Sequence, residues 1–246
     1  MLGLSLYEWG GKMNINKVIS IDEAMNAILS NMSIMVGGFG LVGCPLTLLN
    51  RLENRDIYNL TIFSNNLGES GKGLGKLLEQ GKIKKAIGSY FTSNRTVVQF
   101  YNKGLLEVEL LPQGTFAEAI RAGGAGLGGI YTKTGVGTAL AEGKEVKIID
   151  GEPYLFQKAL TADIALIRAW KADRAGNVVY YKTARNFNPN MATAAKYVIV
   201  EVDEIVEVGE LAPDEIVTPH LYIDAIVESQ FILTKEGVVE RERYKV

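Results

Sequence analysis

Short apolar runs alternate with helical patterns along most of the chain, and this alternation predicts the fold. The run at 33–36 is typical of a buried strand, and leucines recur at helical spacing over 46–53. Strands that alternate with helices in this way predict an α/β fold, with an open, mainly parallel sheet and helices on both faces. The predicted strands are 33–36, 60–63, 83–89, 106–111, 163–170, 177–181 and 197–202, and the predicted helices are 20–29, 46–53, 74–80, 94–101, 116–121 and 191–195.

The middle and the two ends of the chain give weaker signals. Residues 122–129 contain five glycines and residues 131–138 are rich in Thr and Gly, so this region is predicted to be loosely structured. Strand-like segments over 222–231 end the predicted core. No repeat or linker interrupts the chain, which predicts a single domain over 13–246. Residues 1–12 are predicted to be an N-terminal extension or an upstream start.

Composition and charge narrow the function classes. The 246 residues are 47% hydrophobic and 22% charged, which is ordinary for a globular protein. A formal net charge of -2 gives no electrostatic reason to expect a nucleic-acid partner or an anionic membrane. One cysteine excludes an internal disulfide and suits a reducing compartment, so we expect a cytoplasmic protein. No apolar run is long enough to cross a membrane.

A glycine-rich segment follows the first predicted strand. Gly37, Gly38, Gly40 and Gly43 lie within seven residues, and Pro45 opens the next helix. Glycine allows positive φ and lets a ligand approach backbone N–H groups, and a helix N-terminus favours negative charge. The segment therefore predicts a phosphate or oxyanion site between strand and helix.

Two other interpretations of these glycines stay open. Gly38, Gly40 and Gly43 fit the dinucleotide pattern G-x-G-x-x-G, which is weak evidence when it stands alone. A dinucleotide fold also requires an acidic residue after the second strand, and Asn65 and Asn66 stand there instead. The second interpretation is a purely structural glycine turn.

Three amide side chains follow predicted strands in the same way. Asn65 and Asn66 come after the second strand, and Gln113 comes after the fourth. Ligands of open α/β sheets bind beyond the carboxyl ends of the strands, so these amides are candidates to hold a carboxylate or a carbonyl oxygen. The alternative is that Asn65 and Asn66 form a turn and that Gln113 bonds to its local backbone.

Nucleophiles and metal ligands are poorly represented. Cys44 lies on the glycine segment, but the single histidine, His220, is far away in sequence, and a small apolar filler is the favoured role for Cys44. No His/Cys cluster predicts a metal site, and no serine nucleophile elbow is present.

Distinctive motifs lie in the stretches 34–45, 64–66, 112–115, 120–126, 134–138, 165–173, 183–189 and 216–219. With these motifs the sequence resembles a known family, the A (alpha) subunits of family I 3-oxoacid CoA-transferases. The resemblance covers about residues 15–227. One departure is Ser30-Asn31, where the family usually shows Asp-Gly before the first strand.

The resemblance implies a function shared between two chains on the CoA-transferase/ribose-phosphate-isomerase-like scaffold. These enzymes move CoA between carboxylic acids through a glutamyl–CoA thioester, and the glutamate belongs to a Ser-Glu-Asn-Gly motif of the B subunit. The nearest approaches here are Gly68-Glu69-Ser70 and Val227-Glu228-Ser229, and neither qualifies. The resemblance therefore implies that this chain carries no catalytic residue and that its partner is the B (beta) chain of the enzyme.

The resemblance also implies the roles of the candidate site residues. The substrates would be acyl-CoA and short carboxylic acids of the acetate, acetoacetate, butyrate or succinate class. Coenzyme A is then a substrate, and no cofactor, ATP or metal is required. The implied CoA-binding residues are Gly37, Gly38, Phe39, Gly40, Leu41, Val42 and Gly43, and the implied substrate-orienting residues are Asn65, Asn66 and Gln113.

A second class of function shares this scaffold, which also hosts sugar-phosphate isomerases and ligand-binding sensor modules. An isomerase needs an acid/base pair in its loops, and the sequence offers none. A sensor module is normally joined to a DNA-binding segment, and no basic helix-turn-helix pattern precedes Met13.

Overall fold

The computed structural model of the protein describes residues 16–92, 94–235 and 237–241, so the predicted extension 1–12 lies outside the described residues. The helices are α1 (Ile21–Met25), α2 (Leu46–Glu53), α3 (Leu74–Glu79), α4 (Arg95–Asn102), α5 (Gln113–Gly124) and α6 (Asn188–Thr193). The strands are β1 (Ser33–Val36), β2 (Leu60–Phe63), β3 (Ile83–Gly88), β4 (Glu107–Leu110), β5 (Gly129–Thr132), β6 (Val146–Ile149), β7 (Glu152–Lys158), β8 (Ala162–Asp173), β9 (Val178–Val179), β10 (Ala195–Val206), β11 (Ala225–Glu228), β12 (Phe231–Thr234) and β13 (Gly237–Glu240).

The main sheet confirms the predicted fold class. Its strand order is β11-β10-β8-β1-β2-β3-β4 with every neighbouring pair parallel, and β9 adds an antiparallel edge to β8. The chain runs outward from β1 to β4, returns to the other side of β1 at β8, and continues outward to β11. The order thus reverses between β1 and β8, which is where ligands bind in open α/β sheets.

Both faces of the sheet are covered, and successive residues of β1 show how. Ile34 and Val36 face a core shared with helices α1 to α4, whereas Met35 faces a second core shared with α5 and α6. All three side chains are fully buried. A strand buried on both faces reads as a continuous apolar run, which explains why the sequence predicted β1 correctly.

The middle of the chain differs from the prediction of a loose region. β5, β7 and β6 form a separate three-stranded antiparallel sheet. Its residues are mostly half-buried or exposed, so the strands lack the apolar runs that reveal the main sheet. The hairpin of β12 and β13 was also missed, because most of it lies beyond the segment taken to end the core.

Two helices begin earlier than the sequence predicted. α5 begins at Gln113 rather than at 116, because Pro112 has an extended conformation that directly precedes a helix and its carbonyl accepts the Phe116 N–H at 2.8 Å. α6 begins at Asn188 rather than at 191, since Pro189 fits the first turn of a helix.

A buried carboxylate, Glu201 of β10, connects the elements around the point between β1 and β8 where the strand order reverses. It accepts hydrogen bonds from the Thr47 N–H at 2.8 Å, the Thr47 hydroxyl at 2.9 Å and the Leu48 N–H at 3.2 Å. The Ser229 hydroxyl donates at 2.8 Å, and the Arg168 guanidinium forms an ion pair with it. Burial raises the pKa of Glu201, and the Arg168 charge and these donors oppose that rise.

We predict that Arg168→Ala destabilises the fold strongly. The change would leave the fully buried Glu201 without its ion-pair partner, and breaking a buried pair in this way costs about 3–5 kcal/mol. The free energy of unfolding, measured by urea denaturation, should fall by that amount. Arg174→Ala is the control, because Arg174 pairs with the exposed Glu207 and such surface pairs contribute about 1 kcal/mol or less. Equal losses from the two variants would contradict the role given to Arg168.

Candidate functional site

The glycine segment forms a tight hairpin at the carboxyl end of β1. The Phe39 N–H donates to the Val42 carbonyl at 3.0 Å, and the Val42 N–H donates back to the Phe39 carbonyl at 3.2 Å. Gly40 has a φ of 61° at the first central position of this turn, as a two-residue hairpin turn of the II′ kind requires. The segment is therefore an ordered turn, and residues 39–42 form its tip.

Two asparagines from the segment around the start of α6 hold this hairpin in place. The Asn186 carbonyl oxygen accepts the Gly38 N–H at 3.1 Å, and its amide donates to the Val42 carbonyl at 3.0 Å. The Asn188 amide donates to the Gly43 carbonyl at 3.0 Å. In the sequence these residues stood out only as part of the stretch 183–189 of the family resemblance, with no role assigned to them. The contacts span more than 140 positions, so local pattern alone could not reveal them.

The glycines of the hairpin serve different purposes. Asn186 and Asn188 together form an asparagine clamp on the hairpin. A Cβ atom at Gly37 would lie 1.9 Å from the Asn188 Oδ1, so Gly37 permits the close packing of this clamp. A Cβ atom at Gly40 would meet no atom within 4 Å, so only the positive φ requires glycine there. Part of the glycine pattern is therefore structural, and the open space lies at the tip.

Some backbone N–H groups of the glycine segment donate within the protein, and others have no acceptor. The N–H groups of Gly40, Leu41 and Gly43 have no acceptor in the described part of the chain. The Phe39 and Val42 side chains beside them are 52% and 43% exposed. The tip of the hairpin thus combines free donors with exposed apolar surface.

The N-terminus of α2 is not available as the predicted anion site. Its Thr47 and Leu48 N–H groups already donate to Glu201. The dipole of this helix therefore acts on an internal carboxylate. A ligand anion at this end of the sheet has to bind at the hairpin tip or elsewhere.

Cys44 has the inert character that the sequence favoured. Its side chain is buried, and burial, together with the nearby Glu201 charge, raises the pKa of the thiol to about 12. A thiol with that pKa stays protonated at neutral pH and is a poor nucleophile. His220 is exposed, and its backbone N–H donates to the Asn177 side chain at 3.0 Å.

The structure brings the three predicted amides together. The Asn65 amide donates to the Ser89 hydroxyl at 2.8 Å and makes a long 3.4 Å contact with the Gln113 Oε1. The Asn66 amide donates to the Asn65 Oδ1 at 3.2 Å, and the Asn66 Oδ1 accepts the Gly68 N–H at 3.0 Å. Asn65 is buried, Asn66 is half-buried and Gln113 is exposed, so Gln113 is the most accessible of the three.

A cleft of about 360 Å³ opens beside the hairpin. Val42 and Gly43 form one wall, and the aromatic side chains of Trp170 and Tyr181 lie on another. Their ring centroids are 5.3 Å apart. The exposed hairpin tip therefore continues into a concave surface that a flexible, partly apolar ligand can follow.

The described part of the chain offers no cluster of metal ligands. Within residues 16–92, 94–235 and 237–241, no three His, Cys, Asp or Glu side chains lie close enough together to hold a metal ion. Among the helices that the structure describes, none is long and apolar enough to cross a bilayer.

Comparison with solved structures supports the fold. An acyl-CoA transferase from Escherichia coli O157:H7, solved as a thioester complex with CoA, superposes with a TM-score of 0.78 at 23% identity. The alignment covers 87% of this chain and 47% of that chain, so the chain spans about half the length of this structural neighbour.

Comparison of sequences identifies the family. Residues 18–229 match the family described as Coenzyme A transferase. The A subunit of a probable succinyl-CoA:3-ketoacid coenzyme A transferase from Bacillus subtilis (strain 168) is 49% identical over 214 residues, covering 87% of this chain and 90% of the relative. The alpha subunit of the acetate CoA-transferase from Escherichia coli (strain K12) is 44% identical over 214 residues, covering 87% of this chain and 97% of the relative. The chain therefore belongs to the coenzyme A transferase family and is of the A (alpha) type.

Proposed function

We propose that this chain is the half of a short-chain acyl CoA-transferase that binds and orients the substrates, and that a B subunit supplies the catalytic glutamate. The observation that carries the proposal is the chemistry at the carboxyl end of the sheet. The hairpin tip and the three amides offer uncharged hydrogen-bonding groups. The Glu201 carboxylate, at the start of α2, is fully buried and already accepts hydrogen bonds from the protein. Such a site stabilises a developing negative charge and still needs a nucleophile.

The carboxylates around the hairpin are unsuited to the nucleophilic role. Glu201 is fully buried and surrounded by donors. Asp203, at the cleft beside the hairpin, forms an ion pair with Arg168 at 2.7 Å. Glu69 lies on an exposed turn and forms an ion pair with Lys72 at 3.1 Å. A nucleophile from another chain is the simplest completion of the site.

The relatives support this division of labour. The sequence relatives are designated A or alpha subunits, and this chain aligns with nearly their whole length. The same chain aligns with only 47% of the longer E. coli acyl-CoA transferase. The rest of the E. coli chain would then correspond to a second segment of similar size, which this protein would have as a separate subunit.

The proposed exchange balances without an external energy source. The partner's glutamate attacks the acyl-CoA thioester, one of its oxygens passes to the departing acid, and the CoA sulfur becomes bonded to the glutamyl carbon. A second carboxylic acid reverses these steps and leaves as the new acyl-CoA. Because one thioester is exchanged for another, neither ATP nor a metal is required.

The residues of this chain would lower the barrier by binding. The free N–H groups of the hairpin tip would donate to charge on the thioester, where one well-placed donor contributes about 3 kcal/mol. The asparagine clamp would hold the hairpin in position, whereas Phe39 and Val42 would pack against the pantetheine part of CoA. Asn65, Asn66 and Gln113 would orient the acyl group. We place this reaction in the cytoplasm, which the single, unpaired cysteine suits.

The first prediction under this proposal concerns the partner. The purified chain alone should show no CoA transfer from an acyl-CoA to acetate or acetoacetate, and addition of the B subunit should restore it. Incubation with acyl-CoA followed by borohydride should reduce a thioester on a glutamate of the partner. Mass spectrometry should find every carboxylate of this chain unmodified, Glu69 and Glu228 included. A reduced or CoA-labelled peptide from this chain would show that the nucleophile lies here and not on the partner.

A second prediction tests the hairpin tip. Phe39→Ala, in the assembled complex, should raise KM for acyl-CoA about tenfold, because it removes exposed apolar surface next to the free donors. Tyr58→Ala is the matched control. Tyr58 is 45% exposed but precedes β2, at the opposite end of the sheet, so its loss should leave KM within about twofold. Equal effects of both changes would remove the hairpin tip from the CoA site.

A third prediction tests the amides. Gln113→Ala should lower kcat/KM by about tenfold to a thousandfold, the range seen when an oxyanion donor is lost, with little change in Tm because the side chain is exposed. Gln99→Ala, on the exposed surface of α4, is the control and should change neither quantity. A clear drop in Tm with normal kinetics would instead show that Gln113 has only a local structural role.

A further inference from the structure

An apolar groove of about 290 Å³ lies between α4 and β4, at one end of the main sheet. We call it the α4–β4 groove. Phe91 and Val97 in its lining are buried, whereas Val98 and Tyr101 of α4 and Leu110 of β4 are about half exposed. The groove therefore has a floor that belongs to the core and apolar rims that face solvent.

The strand beside the groove, β4, leaves one edge of its backbone without a partner. It is the last strand of the main sheet and pairs only with β3 among the described residues. The Leu111 N–H donates to the Gly88 carbonyl at 2.9 Å, so Leu111 and, by the alternation along a strand, Glu109 direct their backbone groups toward β3. The backbone groups of Val108 and Leu110 therefore point outward, where a further strand can pair with them.

The groove carries no charge on the side that a partner would cover. Within the part of the chain that the structure describes, no charged side chain lines it. Glu109 points to the opposite face of β4 and forms an ion pair with Lys85 at 3.0 Å. A fitting partner surface has to be apolar, because a charged group placed there would lose its water without gaining an opposite charge.

The exposed apolar area is large enough to be the major part of an interface. Tyr90 and Leu105 lie on the segments that precede and follow α4, and together with Val98, Tyr101 and Leu110 they are 46–59% exposed. At about 200 Å² for a fully exposed large side chain, these five expose about 500 Å². A standard interface buries about 800 Å² per partner, so the edge of β4 and the polar surface of α4 would supply the remainder.

A second copy of this chain fits the groove, because each copy would offer both the groove and the side chains that fill it. Two β4 strands that pair in antiparallel orientation about a two-fold axis would continue the sheet across the interface. The axis puts both α4 helices on one face, so Val98 and Tyr101 of each copy would pack against the groove of the other. Pairing of the outward-facing residues places Val108 of one copy opposite Leu110 of the other, and both are apolar.

We propose that the α4–β4 groove is the contact between two copies of this chain, which pair through β4 and pack α4 against α4. The B subunit of the proposed function would act at the carboxyl end of the strands, where the hairpin and the amides lie. The side edge of the sheet is then left to the second copy, and an assembly with B contains two copies of this chain. The contact does not depend on the CoA-transferase function, since it joins two identical chains through a surface apart from the hairpin.

Sedimentation velocity of the full-length chain tests the contact. The wild-type chain should be a dimer with a Kd of about a micromolar or tighter. Tyr101→Glu places a charge at the rim of the groove and should raise this Kd about a hundredfold or more, with little change in Tm because the side chain is exposed. Ile148→Glu is the matched control. Ile148 is exposed on β6, in the three-stranded sheet, so its replacement should leave the Kd within about twofold.

Three results would overturn the proposal. The first is a wild-type chain that stays monomeric at about 100 μM. The second is a dimer that survives Tyr101→Glu or that dissociates equally with Ile148→Glu. The third is a monomeric wild-type chain whose binding to the B subunit is lost in Tyr101→Glu, which would assign the groove to the B subunit.

A second pair of variants tests the backbone edge, and it remains informative if Tyr101→Glu impairs folding. Leu110→Ala shortens the side chain. Leu110→Pro also removes the outward N–H, at an edge position where proline is tolerated because this N–H lies outside the ladder with β3. Leu110→Pro should raise the Kd about fivefold or more beyond the effect of Leu110→Ala. Equal Kd values for the two variants would exclude pairing through β4 and overturn the proposal.

The association and the reaction are measured separately. A wild-type complex with B that moves no CoA would refute the proposed function and leave a dimer of this chain standing. An active complex built from a monomeric wild-type chain would refute the contact alone.

Discussion

The buried Glu201 carboxylate is the interaction on which the arrangement of the site depends. It joins β10, where it originates, to the N-terminus of α2 through Thr47 and Leu48, and to β8 through Arg168. β1 lies next to β8, and the glycine hairpin spans the gap between β1 and α2. Glu201 fixes the start of α2 at one end of the hairpin, and the pairing of β1 with β8 fixes the other end. A buried charge is costly, so this network has to remain complete for the fold to hold.

This use of Glu201 also decides where a substrate anion can bind. A helix N-terminus after a glycine-rich loop normally favours an external anion, but α2 uses its donors on an internal carboxylate. α5 begins at the same end of the sheet, and its first-turn N–H groups have no acceptor within residues 16–92, 94–235 and 237–241. The two helices therefore differ at their N-termini, since α2 is tied to the core through Glu201 and the first turn of α5 has no such internal partner among the described residues. The sequence gives little indication of this difference, because a proline directly precedes each helix: Pro45 precedes α2 and Pro112 precedes α5.

How much the sequence could predict follows from the range of the contacts involved. β1, β2 and α2 were predicted with their observed bounds, because buried strands and amphipathic helices are local patterns. The meeting of Asn65 and Gln113 was predictable because the carboxyl ends of parallel strands share one edge. The Asn186 and Asn188 clamp and the partners of Glu201 were not, since those contacts join distant segments. Glu201 itself interrupts an apolar run at 198–202, and that signal could have marked it as a buried, paired carboxylate.

Glu201 also suggests why the nucleophile would belong to another chain. A carboxylate that folds into the core of this chain is surrounded by N–H, hydroxyl and guanidinium donors, and each of them stabilises its charge and reduces its reactivity. A nucleophilic glutamate must instead keep its charge available while the same kind of donors act on the thioester. Supplying it from a partner surface lets the donors of this chain face the substrate, with the substrate between them and the glutamate. The opposite electrostatic requirements of the donors and the nucleophile thus favour placing them on opposite sides of the substrate, as the proposed function does.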